Sequence, residues 1–324
     1  MSRSVRRSLG RAAGVLAGTA AAGLTWSLIE AQAFTIRRVQ VPVLPAGADP
    51  IRVLHLSDLH LLPRQGRKIG WLRDLEALEP DLVVNTGDNM AHRESLPAVL
   101  TALEPLLQRP GVFVMGSNDY FAPKLSNPAR YLLPDPRRAQ SEEPGKERTE
   151  NMPGRELGYA FAACGWLDLT NQSGTLEIGG QRLDFLGVDD PHLDRDELPE
   201  AWPATTEEVD GGASGAGRPT VRIGVTHAPY QRVLGAMQHL GCDLVLAGHT
   251  HGGQLCLPGY GALVTNCDLD TGRASGLHPW PGNAPGPGNL WLHVSNGMGT
   301  NPFTPVRLAC RPSVTLATLT APTS

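Results

Sequence analysis

Five short apolar runs in this sequence each end in a turn built from Asp, His, Asn and Gly, and this repetition restricts the fold more than any other feature. Ile51–Leu56 leads into Ser57-Asp58-Leu59-His60, and residues 81–86 lead into Gly87-Asp88-Asn89. Residues 111–115 lead into Gly116-Ser117-Asn118-Asp119, and Val221–Thr226 leads into His227. The fifth run, 243–247, leads into Gly248-His249-Thr250-His251-Gly252-Gly253-Gln254. Short continuous apolar runs bounded by turns read as strands buried on both faces. Helical spacing over 71–78 stops before Pro80, and a second helical stretch over 96–107 ends near Pro110. Strands alternating with helices through short turns predict parallel βαβ units. Segments 174–178 and 182–188 flank Gly179-Gly180 as a hairpin, and 290–294 and 313–319 add two further strands. The sum is a single α/β domain of two packed sheets with outer helices.

In such sheets ligands bind beyond the carboxyl ends of the strands, where all five polar turns fall. Asp58 and His60 are two residues apart, as are His249 and His251, so extended backbone would aim each pair the same way. Converging, the turns offer three or more imidazoles, two carboxylates and a carboxamide. That nitrogen–oxygen set suits two divalent ions of Mn, Fe or Zn better than Ca or Mg, which prefer oxygen alone. A carboxylate such as Asp88 would bridge the ions, and such a pair activates water against a phosphoester. Singly the pieces are weak: Asp after a strand usually caps a helix, and Gly-Asp is usually a turn. The segment GHTHGGQ is stronger, because two His and three Gly in seven residues serve a core badly.

Charge is divided unevenly. Residues 1–38 carry six Arg and one Glu, or +5, which leaves −9 on the remainder of a chain whose net charge is −4. An acidic body argues against specific nucleic-acid binding. Arg3, Arg6, Arg7 and Arg11 precede the uncharged stretch 12–29, whose length as a helix would be about 27 Å. With more basic residues before than after it, this stretch reads as a membrane anchor with an extracytoplasmic body. The alternatives are a secreted protein, released by cleavage at Ala31-Gln32-Ala33, and a soluble or buried N-terminal helix. The resulting division is 1–38 as N-terminal element, 39–50 as linker and 51–320 as catalytic domain. Residues 122–156 and 190–219 read as long surface insertions, with the apolar stretch 120–134 a candidate lid. The five cysteines are irregularly spaced, as expected of buried free thiols, though Cys256 and Cys267 could pair in an oxidising compartment.

The five motifs resemble those of the calcineurin-like metallophosphoesterases, over roughly residues 50–320. GHTHGGQLCLPGYG and the tail SNGMGTNPFTPVRLACRPSVTLATL look closest to a bacterial membrane-associated branch. The resemblance implies a four-layer α/β/β/α sandwich. It also implies one ion held by Asp58, His60, Asp88 and His251, and a second by Asp88, Asn118, His227 and His249. The third motif departs from the family's Gly-Asn-His-Asp, whose His stands near the leaving group. Without a gap Ser117 takes the ligand position; with a one-residue shift Asn118 takes it and Asp119 follows. Asp88, Asn118 and Asp119 are the residues expected to carry catalysis, and His92 is a candidate substitute for the missing His. The expected activity is hydrolysis of a phosphomonoester or phosphodiester, with a lipid head group, cell-envelope polymer or extracytoplasmic nucleotide as substrate. A protein that retains metals but binds without turnover is the alternative.

Overall fold

The apolar runs fold as strands because each can bury both faces, one against the opposite sheet and one against helices. In the computed structural model, which describes residues 3–125, 149–200, 202, 220–286 and 288–322, fourteen strands follow in order among those residues. They are β1 Thr35–Pro42, β2 Ile51–Leu56, β3 Leu82–Asn85, β4 Gly111–Phe113, β5 Leu167–Asp168, β6 Ser173–Ile178 and β7 Gln181–Gly187. The remainder are β8 Val221–Thr226, β9 Leu244–Ala247, β10 Cys256–Leu257, β11 Gly261–Ala262, β12 Gly276–Trp280, β13 Leu290–Val294 and β14 Ser313–Thr320. One six-stranded sheet has the order β1-β14-β2-β3-β4-β5 and the other β12-β13-β9-β8-β7-β6, while β10 and β11 form a small hairpin. Pairing is parallel from β2 through β5 and from β7 through β9 to β13.

Side-chain alternation assembles the layers. Val53 of β2 and Leu244 and Leu246 of β9 enter the core between the sheets, with Val84, Val112, Ile223 and Val225. Leu54 and Leu56 face outward, where they pack with Leu72, Val99, Leu103, Leu157 and Phe161 of the helices Gly66–Arg73, Leu96–Leu103 and Gly154–Ala163. On the far side Val245 and Ala247 meet Val233, Leu234 and Met237 of the helix Gln231–His239. The result is the α/β/β/α sandwich. Each core side chain contributes roughly 1.5–3 kcal/mol by burial, so the edge from which the polar turns project is a rigid base.

Several sequence expectations change. The first helix, Gly66–Arg73, begins five residues before the expected 71–78, whose later part is a 3₁₀ turn, Asp74–Leu78, and the second ends at Leu103 before the 3₁₀ turn Leu106–Gln108. Residues 35–42, split between the N-terminal element and the linker, are strand β1, in parallel register with β14 from Thr35↔Ser313 to Pro42↔Thr320. On this edge strand Arg37, Arg38 and Gln40 are exposed and only Val41 is fully buried, so no apolar run marks it. Residues 3–30 do form one helix, Arg3–Glu30. Among the described residues, however, no helix is long and apolar enough to cross a membrane, so the spanning-anchor reading of 12–29 is not supported. Gly, Ala and Thr fill this helix, and they contribute too little apolar surface. Its last turn is docked on the domain: Ser27 O accepts from Arg307 N, and the buried Glu30 carboxylate accepts from Ala309 N and Cys310 N. The insertions, with the candidate lid, fall largely outside the described residues.

Candidate metal centre

The polar turns meet at the carboxyl edges of β2, β3, β4, β8 and β9, but extended backbone does not aim them. Asp58, His60, Asp88, His249 and His251 all have left-handed backbone, with φ of 50°, 40°, 57°, 68° and 51°. This conformation costs a non-glycine residue about 1 kcal/mol or more and persists only where surrounding contacts impose it. Here the loops hold each other: Asp58 N donates to Gly87 O at 2.9 Å, His60 N to Asp88 O at 3.0 Å and Leu61 N to Asn89 O at 2.9 Å. Asp119 completes the frame. Its oxygens accept from Asp88 N at 2.8 Å, Asn89 N at 2.9 Å and Gly116 N at 3.2 Å.

Two groups of donor atoms result. Asp58, His60 and His251 form one, and Asp58, Asp88 and His227 the other, each with its atoms within 4.8 Å of one another. Asp58 belongs to both groups, and Asp88 Oδ2 lies between them, 3.5 Å from His60 Nε2 and 3.5 Å from His227 Nε2. His251 Nε2 is 3.4 Å from Asp58 Oδ1 and 3.2 Å from His60 Nε2. Asp58 Oδ1 and His227 Nε2 are buried without a hydrogen-bond partner. Buried acceptors converging in this way need a cation between them, so the residues present fit divalent metal ions.

Neighbouring groups fix the ring orientations. His227 Nδ1 donates to Thr86 O at 2.7 Å, which turns Nε2 inward. His249 lies against His227, with ring centroids 5.2 Å apart, and donates from Nε2 to Asn266 O at 3.1 Å. The lone pair of this neutral imidazole is then on Nδ1. Ser57 Oγ and His249 N both donate to Asp58 Oδ2, at 2.5 and 3.0 Å, which leaves Oδ1 for a ligand. Gly248 allows this approach, since a Cβ there would stand 1.9 Å from Ser57 Oγ.

At the third motif Asn118, not Ser117, reaches Asp88: its backbone N is 2.7 Å from Oδ1 and its Nδ2 is 2.7 Å from Oδ2. A half-turn of the carboxamide would present its oxygen there without a change of shape. Asp119, expected to be catalytic, is instead fully buried with both oxygens spent on backbone donors, so it positions the loop and does not face the centre. His92 is exposed and its Nδ1 accepts from Glu94 N.

Burial pulls the His60 imidazole down to about 4 and lowers His249 strongly, so both are neutral and able to ligate. For His227 burial acts the same way, but Asp88, Asp190 and Asp58 outweigh it and raise the group to about 9. Burial would raise Asp58, yet His251, His227 and His60 together hold it well below the usual range. Burial and the nearby Asp88 push Asp119 up to about 7.

Three residues at the site are absent from the sequence expectations. Asp190 is fully buried and electrostatically tied to His227 and Asp88. His192 lies on the His249 ring at 4.6 Å, with Nδ1 3.0 Å from Tyr230 Oη. Both follow β7, so the strand-then-polar-turn pattern would have found them had it been applied to that strand. Arg307, completely buried, donates to His251 O at 3.1 Å, Asn296 O at 2.8 Å and Gly299 O at 2.7 Å. No local pattern identifies it.

A family model described as calcineurin-like phosphoesterase matches residues 51–253. An uncharacterised metallophosphoesterase of Aquifex aeolicus is 27% identical over 291 residues, covering 87% of this chain and 89% of the relative. The phosphodiesterase YaeI of Escherichia coli is 24% identical over 293 residues, covering 88% of each chain. Among solved structures, TT1561 of Thermus thermophilus aligns with a TM-score of 0.38 at 13% identity, over 77% of this chain and 91% of that one.

Proposed function

Because the chain belongs to the calcineurin-like phosphoesterases, hydrolases of phosphoester bonds, we propose that it cleaves a phosphomonoester or phosphodiester at a centre for two divalent ions, of Mn, Fe or Zn. Asp58, His60, Asp88 and His251 would hold one ion, and Asp88, Asn118, His227 and His249 the other. The observation that carries this reading is the single Asp88 oxygen lying 3.5 Å from both His60 and His227. When bound, such ions would supply a more acidic water and offset the charge of the phosphoryl oxygens. The protein's own residues fix the geometry: Thr86 O orients His227, Asn266 O orients His249, and Ser57 with His249 N leaves one Asp58 oxygen free. Asn118, beside Asp88, is placed to orient the phosphoryl group. It cannot donate a proton as an imidazolium would, so esters with good leaving groups should turn over fastest.

The full-length chain with Mn²⁺, assayed on bis-p-nitrophenyl phosphate and p-nitrophenyl phosphate, tests this reading. Turnover lost in both Asp88→Asn and Asn118→Ala supports it. Wild-type protein that retains metal but hydrolyses neither ester would favour a binding protein.

We further place the domain outside the cytoplasm, at a membrane or envelope surface, with a lipid or envelope-derived ester as substrate. This rests on exposed Leu255, Leu257, Tyr260 and Leu263 in and beside the β10–β11 hairpin, together with Trp26 and Ile29 on the N-terminal helix. Glu30, which caps Ala309 and Cys310, favours retention of that helix over cleavage at Ala33. The intact mass of protein recovered from the envelope fraction would decide, since a chain starting after Ala33 refutes retention.

A further inference from the structure

Two of the five cysteines are brought together directly behind the metal-ligand turn. Cys256 opens β10 as the chain leaves His249–Gly253, and Cys310 sits in the loop that enters β14. The two segments are already stitched side by side: Cys256 N donates to Leu308 O at 2.9 Å, Leu308 N donates to Gln254 O at 3.1 Å, and Leu255 bridges Leu308. Both thiols turn toward one carbonyl. Cys256 Sγ lies 3.2 Å and Cys310 Sγ 3.4 Å from Gly252 O, and the sulfurs are in hydrogen-bond contact with each other. With Ala262 and Ala274 they form a separate small cluster, whereas Cys267 packs in the core behind the second sheet and Cys164 is exposed. A solvent-open cleft of about 420 Å³, lined by Arg37, Leu257, Tyr260 and Gly272 among others, has Cys256 and Cys310 in its wall.

We propose that Cys256 and Cys310 are a disulfide-forming pair, closing a covalent link between the strand that follows the His249–His251 turn and the loop that carries Arg307. The paired backbone segments and the shared contact on Gly252 place the sulfurs where a bond needs little backbone movement. The reaction is thiol–disulfide exchange with a disulfide donor such as oxidised glutathione. One cysteine attacks the donor and releases the first glutathione thiol. The second cysteine then displaces the remaining glutathione from the mixed disulfide, so two protein thiols become one S–S bond and one donor disulfide becomes two thiols. The link closes a loop of about 50 residues and braces Arg307, which binds His251 O. This inference does not depend on the catalytic reading, and it departs both from the free thiols that the spacing led us to expect and from the alternative Cys256–Cys267 pairing.

The test uses the full-length chain, reduced and then exposed to oxidised glutathione, alkylated and digested without reductant for mass spectrometry. The expected result is a peptide joining Cys256 to Cys310, with alkylated thiols falling from five to three. Five alkylated cysteines, or a bond from Cys256 to Cys267, would overturn the proposal. As a second readout, oxidation should raise the melting midpoint by roughly 5–10 °C in wild type and not in Cys256→Ser. An equal rise in that variant would also overturn it.

Discussion

Gly248→Ala tests whether close packing around Asp58, and not merely its presence, sets the metal centre. The glycine has no positive φ, so alanine meets no backbone strain there, and its effect comes from contact alone. The added Cβ would fall 1.9 Å from Ser57 Oγ, 2.7 Å from Asp58 Oδ2 and 3.1 Å from Thr86 Oγ1. Ordinary carbon–oxygen contact requires about 3.4 Å, so Ser57 must retreat by about 1.5 Å. Ser57 cannot do so alone, because its hydroxyl donates to Asp58 Oδ2, which His249 N also holds. The ligand therefore moves with it. A displacement of about 1 Å in a reacting group costs on the order of 100-fold in rate, and overpacking of this kind costs roughly 1–3 kcal/mol in stability. We expect kcat on bis-p-nitrophenyl phosphate to fall about 100-fold and Mn²⁺ affinity, read by calorimetry, to weaken with it. Adding Ser57→Ala removes the shortest clash and should recover part of the loss, roughly tenfold. Gly248→Ala with turnover within about threefold of wild type and unchanged Mn²⁺ affinity would refute the reasoning, since that is a change of under about 1 kcal/mol.

Other outcomes follow from the same geometry. Asp88→Asn should abolish turnover, by about 1,000-fold or more, and lower the bound metal count, because it weakens the oxygen that lies between His60 and His227. In metal-free protein the raised groups Asp119 and Asp190, each about 7, and His227, about 9, bind protons that the unfolded chain has already released. Comparison with Asp190→Asn isolates one of these groups, since the lowered imidazoles of His60 and His249 act in the opposite sense in both proteins. The urea midpoint of wild type in EDTA, relative to that variant, should fall from about pH 4 to 7, and a difference that rises over that window contradicts the assignment. Because a metal ion must displace the His227 proton, Mn²⁺ affinity should rise about tenfold per pH unit below that pKa, and a flat calorimetric profile from pH 6.5 to 8.5 would be inconsistent. Glu30→Ala leaves Ala309 N and Cys310 N without their carboxylate, and should cost about 2–4 kcal/mol in chemical denaturation.

Much of the centre was legible because its residues are local to strand ends. A strand that is apolar on both faces and breaks into Asp, His or Asn announces itself within seven residues, which is how Asp58, His60, Asp88, His227, His249 and His251 came to be expected together, and the structure brings Asp58, His60, Asp88, His227 and His251 within reach of one another. The carboxamide of the third motif was legible only as a choice between Ser117 and Asn118, since spacing cannot say which residue turns inward after Gly116. Asp119 was misread for the same reason: a carboxylate beside a ligand has the composition of a catalytic group, and only its backbone partners show that it builds the loop. Strand β1 was missed because an exposed edge strand needs no apolar alternation.

The amino-acid sequence alone determined the two-sheet α/β architecture and the residue types of the centre, because hydrophobic periodicity and short polar turns are properties of neighbouring residues. Tertiary structure decided what lies between distant segments. It paired His55 with His293 across the sheets at 3.0 Å, both neutral because burial disfavours their charge. It carried Arg307 onto His251 O, bound Glu30 to the loop before β14, and set Cys256 beside Cys310. Each of these contacts joins residues tens to hundreds of positions apart. Their formation depends on where the close-packed sheets place the loops, and no local pattern encodes that position.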